Sequence, residues 1–438
     1  MVKSISIIGL GFVGLSLAVV SADKGYNVIG VDTNKSKLAK LKQGHVDFFE
    51  QNLPKYLNKA IKSKRIEFTD NLHHAILASS MTFLCVGTPL KNSSIDLSFV
   101  IKAAKDINSI LKKKKTYHTL VVKSTVIPQT TRDVILPIFS TLIKKKRVDV
   151  FVNPEFLQES RAIHDVLNPH MIVIGKYTKN SKALDVFYKN FYKKMPPIIY
   201  TDITSAELIK YANNAFLATK ISFINSFANL CQNLPGTDIT TISEALGLDP
   251  RIGPMFLQAG PGFGGSCLPK DLNALINFSK QFDGVNSLFK AVNSVNETQP
   301  KKIVHILSEN NLLSGTTISI LGLSFKKNTD DIRSAVSTKL VKLLLRYDVK
   351  IRVHDPMAIP NFKSIFNNKI KYSLDIKSCL DGSDCCIVLT EWDEYKMLKP
   401  NRIFSLLKNP NVIDARRVFN PSEFAKFNFH AIGLGSSC

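Results

Sequence analysis

One thiol stands out by its surroundings. Cys267 lies in Gly260-Pro-Gly-Phe-Gly-Gly-Ser-Cys-Leu-Pro-Lys-Asp271, a stretch too rich in Gly and Pro for the interior of a helix or strand. Its glycines at 260, 262, 264 and 265 let a ligand approach the main chain closely. Lys270 and Asp271 follow, so a cation and a carboxylate flank the sulfur. A neighbouring cation favours thiolate, the form that attacks carbon. A buried structural cysteine is the competing reading, because free Cys is among the most buried residue types.

A second constellation opens the chain. An apolar run at 5–8 leads into Gly9-Leu-Gly11-Phe-Val-Gly14, then into an apolar helical segment, then a run at 26–31 that ends at Asp32. Strand, glycine turn, helix, strand and acid in that order form a dinucleotide fingerprint. The glycines permit a tight turn and bring a pyrophosphate to the helix N-terminus. Asp32 would accept from a ribose diol and repel a 2′-phosphate, which points to NAD rather than NADP.

These groups must be carried by a sheet. Further strands are expected at 81–86, 119–122 and 148–152, each running into a polar or Pro-containing loop: Gly87-Thr88-Pro89, Lys123-Ser-Thr125 and Asn153-Pro-Glu155. Loops at the carboxyl ends of parallel strands line one crevice. Thr88 and Thr125 could hydrogen-bond cofactor or substrate there, or Thr88 could cap a helix. Glu155 and Glu159 share one face if the chain is helical from Phe156 onward; acids complementing a helix dipole are the alternative. Residues 202–235 read as one long helix, with apolar positions at Leu208, Ala212, Ala215, Phe216 and Phe223. Lys210 and Asn214, four apart, project an ammonium and an amide from one face. That pair suits a developing oxyanion, or else a solvated polar stripe. The helix would also serve as a dimer spine.

After the thiol loop come helices at 272–282 and 286–299, with Pro300 starting a new element. Near Gly315 the α/β pattern restarts, with strands at 317–321, 350–353, 384–390 and 411–413 and a helix at 337–345. This second unit lacks the third fingerprint glycine, so it is expected to hold a ligand other than a dinucleotide. Lys326, Arg333 and Arg416 could grip phosphates.

The 438 residues allow two or three domains, and 45% hydrophobic with 21% charged residues is ordinary for a soluble globular protein. The seven cysteines include no CxxC pair, which argues against zinc or a disulfide framework and for a reducing cytoplasm; no metal is expected. The apolar stretch 5–20 could pass for a signal peptide, but its spaced glycines and the strand that follows argue against one. No other run approaches a membrane span. The net charge is +23, and Lys112–Lys115 and Lys144–Arg147 are the densest basic runs. Without interleaved aromatics these runs read as a solvated surface rather than a nucleic-acid site.

Taken in order, GLGFVG, CVGTP, KSTVIPQTT, NPEFLQES, AELIKYANNAFLA, DPRIG, GPGFGGSCLPKD, LGLSFKKNTDDIR and LTEWDEY resemble the UDP-glucose 6-dehydrogenase family of nucleotide-sugar dehydrogenases across nearly the whole chain. The resemblance implies an α/β protein with two Rossmann-like, doubly wound domains joined by a long central helix. It divides the chain into an NAD-binding domain at 1–200, a helical dimerisation segment with the catalytic cysteine at 201–300, and a UDP-sugar-binding domain at 301–438. The implied reaction takes the C6 alcohol of UDP-glucose to a carboxylate in two NAD-dependent hydride transfers. In it Cys267 adds to the aldehyde as a thiohemiacetal, and water hydrolyses the resulting thioester.

By the same resemblance, Lys210 and Asn214 stabilise the oxyanion, Glu155 acts on protons through water, and Thr125 and Asp271 support them. The implied NAD contacts are Gly9, Gly11, Phe12, Val13, Gly14, Asp32, Lys37, Thr88, Thr125, Glu159, Lys270 and Arg333. The implied sugar-nucleotide contacts are Glu155, Phe156, Leu157, Lys210, Asn214, Phe263, Gly264, Lys326 and Arg416, the last preferred over Arg417. Arg251 is implied to reach the sugar site of a neighbouring subunit in a homodimer or higher homo-oligomer. Asn168-Pro-His-Met leans toward GDP-mannose dehydrogenases, while Asp249-Pro-Arg-Ile-Gly and Gly260-Pro-Gly pull toward UDP-glucose. A GDP-mannose or UDP-N-acetylhexosamine dehydrogenase is therefore the alternative, and an inactive nucleotide- or nucleic-acid-binding protein the remote one.

Overall fold

The computed structural model describes residues 4–91, 94–178, 181–282 and 284–436; Cys438 lies outside them. The chain divides into two compact units, Met1–Asn213 and Asn214–Cys438. The strands at the centre of each sheet, such as Met81–Leu84 and Ser383–Val388, are wholly buried because each sheet is covered on both faces.

In the first unit these are β1 (Ser4–Ile8), β2 (Asn27–Val31), β3 (Ile66–Thr69), β4 (Met81–Leu84), β5 (His118–Val122), β6 (Val148–Val152), β7 (Ile172–Lys176) and β8 (Ile198–Thr201). Their order in the sheet is β8-β7-β6-β5-β4-β1-β2-β3. Every neighbouring pair is parallel except β6 with β7. Ile5 and Ile7 enter one core layer with Phe83 and Val121, while Ile8 enters the other with Leu84, Leu120 and Val122. That alternation is the two-residue period of a strand buried on both sides. Chain direction across the sheet reverses between β1 and β4, the place where such sheets bind ligands.

The second unit repeats the plan with β9 (Ser314–Leu321), β10 (Asp348–His354), β11 (Lys371–Tyr372), β12 (Ser383–Val388), β13 (Leu407–Asp414) and β14 (Asn428–Ala431). They run in the order β11-β10-β9-β12-β13-β14, all parallel. Ile318 and Ile320 face one core layer and Leu321 the other.

The central helix spans Ile203–Cys231, four residues short of the expected end, and the compact division falls inside it after Asn213. Its expected apolar positions do not all mark a buried face. Ala215 is buried, but Leu208, Phe216 and Phe223 are exposed, Phe216 by 65%.

Four other expectations are corrected. Residues 153–158 are irregular, so Glu155 and Glu159 do not share a helix face; the helix that follows is Ala162–Leu167. The helix after the thiol begins at Leu268 rather than 272, because Cys267 itself occupies its N-cap. Pro300 starts nothing: it is buried within the helix Ser287–Glu309. Proline has no N–H to give the carbonyl four residues back, at Asn296. That carbonyl lies 3.4 Å from where a side chain on Gly262 would begin, so the break in the ladder coincides with the approach of the thiol loop. Lys114 belongs to no solvated run, being buried with its ammonium on the carbonyls of Ile76 and Ser79.

Candidate active site

The glycine turn follows the fingerprint residue by residue. Gly9 has φ +93°, a conformation L side chains rarely adopt, and a Cβ there would lie 2.8 Å from the Cys85 carbonyl oxygen. A Cβ on Gly14 would stand 1.9 Å from the Gly9 carbonyl oxygen, so the helix Phe12–Asp23 seats on the turn only because that position is bare. A Cβ on Gly11 would meet nothing within 4 Å. Packing does not demand glycine there, and the open space fits close approach of a pyrophosphate at the helix N-terminus. Phe12 and Val13 form the first turn of that helix, and the Phe12 ring packs on Phe48 at 4.1 Å.

Asp32 closes the crevice from the end of β2. One carboxylate oxygen accepts from the Leu10 N–H at 3.0 Å and the other from the Asn34 N–H at 2.9 Å. Lys37 places its ammonium 3.8 Å from the same carboxylate. A carboxylate offers about four lone-pair sites, so these contacts hold it in place and leave capacity for a ribose diol. The chain's groups therefore fit NAD.

The three loops that follow β4, β5 and β6 are stitched together. Thr88 donates to the Thr125 carbonyl at 2.8 Å, which decides against a helix cap, and Ser124 donates to the Val86 carbonyl at 2.7 Å. Lys123 reaches the carbonyl and the side-chain oxygen of Asn153 at 3.2 and 3.0 Å. Beyond them Glu155 and Lys210 pair at 3.1 Å, with side chains only 8% and 5% exposed. Burial works to raise the Glu155 carboxyl, but the Lys210 charge, the Leu157 N–H at 2.6 Å and the Lys123 charge outweigh it and hold it below the usual range. Burial likewise lowers Lys123. The Phe156 ring lies 5.4 Å from the Lys210 ammonium, and Glu155, Phe156, Leu157, Lys123 and Tyr188 line one cavity. Glu159 sits in the turn after this loop, half-buried.

In the second unit the thiol loop is bound to the carboxyl edge of the second sheet. Asn296 clamps Phe263, accepting its N–H at 2.7 Å and donating to its carbonyl at 3.1 Å. A Cβ on Gly264 would stand 2.6 Å from the Ser334 carbonyl oxygen, and the Gly265 N–H donates to the Arg333 carbonyl at 2.9 Å. The Gly260 N–H donates to Asn225 on the central helix at 2.8 Å. Cys267 is partly exposed, whereas Cys231, Cys379, Cys385 and Cys386 are buried. It stands at the amino end of the helix Leu268–Phe278, where partial positive charge favours an anion. The buried-cysteine reading describes those others, and burial pushes Cys379 up to about 12. Asn214 donates to the Asp271 carboxylate at 2.7 Å, and Lys270 pairs with the other oxygen at 2.5 Å.

Arg416, at the end of β13, donates to the carbonyls of Leu389 at 2.8 Å and Phe325 at 3.2 Å. Lys326 follows Phe325 on the loop after β9, its ammonium 5.7 Å from that ring. Arg416 also pairs with Glu391 at 3.4 Å, and Arg417 is ion-paired with Asp238 at 2.7 Å. Arg333 grips Asp331 with its guanidinium, at 2.7 Å. Arg251 pairs with Asp249 at 2.6 Å and is 87% exposed.

The absent third glycine is matched by a filled acid site. Asp355, at the position of Asp32, accepts from the N–H groups of Leu323 and Ser324, from Met357 and Ala358, and from the Trp392 indole at 3.1 Å. These donors fill the roughly four lone-pair sites of a carboxylate, which leaves Asp355 no capacity for a ribose diol.

Sequence reasoning missed Lys123, Asn153, Asn225 and Asn296. Lys123 and Asn153 were signalled by their places at strand ends; nothing local signals the two asparagines inside long helices.

Models of the UDP-glucose/GDP-mannose dehydrogenase family match three stretches: its NAD binding domain at residues 3–195, its central domain at 204–298 and its UDP binding domain at 319–421. The chain is 39% identical to UDP-glucose 6-dehydrogenase TuaD of Bacillus subtilis, covering 98% of this chain and 93% of that one. It is 38% identical to UDP-glucose 6-dehydrogenase of Rickettsia bellii, covering 99% of each. A UDP-glucose dehydrogenase structure from Pyrobaculum islandicum superposes with a TM-score of 0.91 at 35% identity, covering 99% of this chain and 98% of the other. With a glycine crevice, a partly exposed thiol and matches along nearly its whole length, the chain belongs to the UDP-glucose/GDP-mannose dehydrogenase family.

Proposed function

We propose that the chain is an NAD-dependent UDP-glucose 6-dehydrogenase that makes UDP-glucuronate. The observation that carries the reading is Cys267: a partly exposed thiol at a helix N-terminus, in a loop fixed to the edge of a nucleotide-type sheet. When bound, NAD accepts the hydride in each of the two oxidations. The alcohol first becomes an aldehyde, and the Cys267 sulfur then adds to its carbon, giving a thiohemiacetal. Loss of the second hydride leaves a thioester, and water attacks it to release the carboxylate and restore the thiol.

Glu155 takes and returns protons through water, which suits a carboxyl kept ionised by two ammonium groups. Lys210 and Asn214, on successive turns of the central helix, donate to oxygen as negative charge develops. Thr125 and Asp271 support these groups, Arg416 and Lys326 bind the nucleotide sugar, and Arg333 and Lys37 serve the cofactor. We assign residues 1–200 to cofactor binding, 201–300 to dimerisation and the thiol, and 301–438 to the sugar nucleotide. The exposed apolar row Leu208, Phe216, Phe223 and Phe227 supports self-association along the central helix, with Arg251 serving a neighbouring copy. No helix among the described residues is long and apolar enough to cross a membrane. The scatter of cysteines without a CxxC pair supports a reducing compartment such as the cytoplasm.

Supplying the purified protein with UDP-glucose, GDP-mannose and UDP-N-acetylhexosamines and counting NADH tests the reading. Reduction with UDP-glucose alone supports it. Preference for another sugar nucleotide moves the protein to a sibling activity, and reduction with none leaves only a binding protein.

A further inference from the structure

Glu207 carries no role in the proposed reaction, yet it is placed at an expensive position. It lies in the central helix one turn before Lys210 and is 2% exposed. One carboxylate oxygen accepts from the Gln129 N–H at 2.7 Å and the other from the Thr131 N–H at 2.8 Å. These amides open the helical segment that starts at Thr131, whose own N-cap residue, Thr130, makes no side-chain cap. The cap therefore comes from a residue 76 positions away in sequence. Gln129 is held at φ +78°, so the chain bends sharply between the Thr125 loop and the capped helix. Burial pushes the carboxyl up to about 7 against the pull of both N–H groups, with Asp133 on the capped helix adding to the rise and Arg132 beside it opposing it. An exposed Ser, Thr or Asp would cap the helix at lower cost.

We propose that Glu207 is a positioning residue: it ties segment 125–131 to the turn of the central helix that presents Lys210, so that Thr125 and Lys210 keep one fixed relation during turnover. The inference rests on the proposed reaction, in which both residues serve. Misplacing a reacting group by about 1 Å costs on the order of 100-fold in rate.

The test is a double-mutant cycle of Glu207→Gln and Thr125→Ala, read as kcat on UDP-glucose, with hydrogen exchange over residues 123–131 measured alongside. A glutamine cannot accept from both amides. Glu207→Gln is expected to lower kcat about 10- to 100-fold in the wild-type background and less than about threefold once Thr125 is alanine, because both changes remove one arrangement. Exchange over 123–131 should quicken while β1 and β4 stay protected. Equal losses in both backgrounds, a Thr125→Ala enzyme with full kcat, or unchanged exchange would each overturn the proposal. Should Glu207→Gln not fold, Glu207→Asp, which keeps the charge but falls short of one amide, takes its place in the same cycle. A wild-type protein that reduces no NAD with any sugar nucleotide would instead fail the functional reading, and the exchange measurement, which needs no turnover, would still decide whether the tether exists.

Discussion

Asn214 donates its carboxamide N–H to Asp271 across 2.7 Å, and so ties the central helix to the first turn of the thiol helix. The carboxylate accepts only, so it fixes which end of the amide is nitrogen and in which plane it lies. Asp271 is itself buried and steadied by Lys270. Replacing Asp271 by Ala removes the acceptor that orients the amide. The expected result is a fall in kcat of about 10- to 1000-fold, with the KM for UDP-glucose changed little, as for loss of one oxyanion donor. Steady-state kinetics check it; a change confined to KM would assign Asp271 to ground-state binding.

The Lys210–Glu155 pair carries a stability consequence as well as a chemical one. Lys210→Met leaves a buried carboxylate with one ammonium, that of Lys123, and should destabilise the protein by about 3 to 5 kcal/mol. Adding Glu155→Gln removes the stranded charge and should restore most of that loss without restoring turnover. Urea unfolding of the single and double variants measures both; additive losses would contradict the pairing.

On the proposed reading, cofactor choice rests on Asp32. Changing it to Ser removes the charge that repels a 2′-phosphate, while Lys37 remains in reach of that position. The variant should use NADP measurably better relative to NAD than the wild type does, judged by kcat/KM for each. Unchanged discrimination would count against a ribose role for Asp32.

His118 gives a pH prediction. It is fully buried between Thr82 and Lys114, and burial, reinforced by the Lys114 charge, lowers its pKa to about 3. Between about 6.5 and 3 the unfolded chain binds a proton that the folded chain does not. This contribution to stability is therefore complete above about pH 6.5 and is lost progressively as pH falls toward 3. Between pH 7 and 5 the loss should be about 2 kcal/mol. His118→Asn should flatten that part of the profile, as followed by urea midpoints; identical slopes would show that His118 ionises freely.

How far the sequence could be read depended on how local each signal was. The fingerprint glycines were legible because their fixed spacing falls between a strand and a helix, and the short apolar runs were legible because both sheet faces are covered. Pro300 misled because a proline usually ends a helix, whereas here it is buried within Ser287–Glu309, where the unpaired Asn296 turn faces a loop distant in sequence, at Gly262. The stretch after Glu155 misled because its carboxylate bonds the Leu157 N–H and turns the chain instead of starting a helix. Glu207 and Asn296 escaped notice for one reason: each acts on backbone brought to it by the fold.

Most directly at stake is the sulfur. With limiting UDP-glucose and excess NAD, the wild-type protein should yield two NADH per sugar consumed, and Cys267→Ser should lose that complete conversion while keeping its fold. Two NADH per sugar and undiminished UDP-glucuronate from Cys267→Ser would contradict the covalent route.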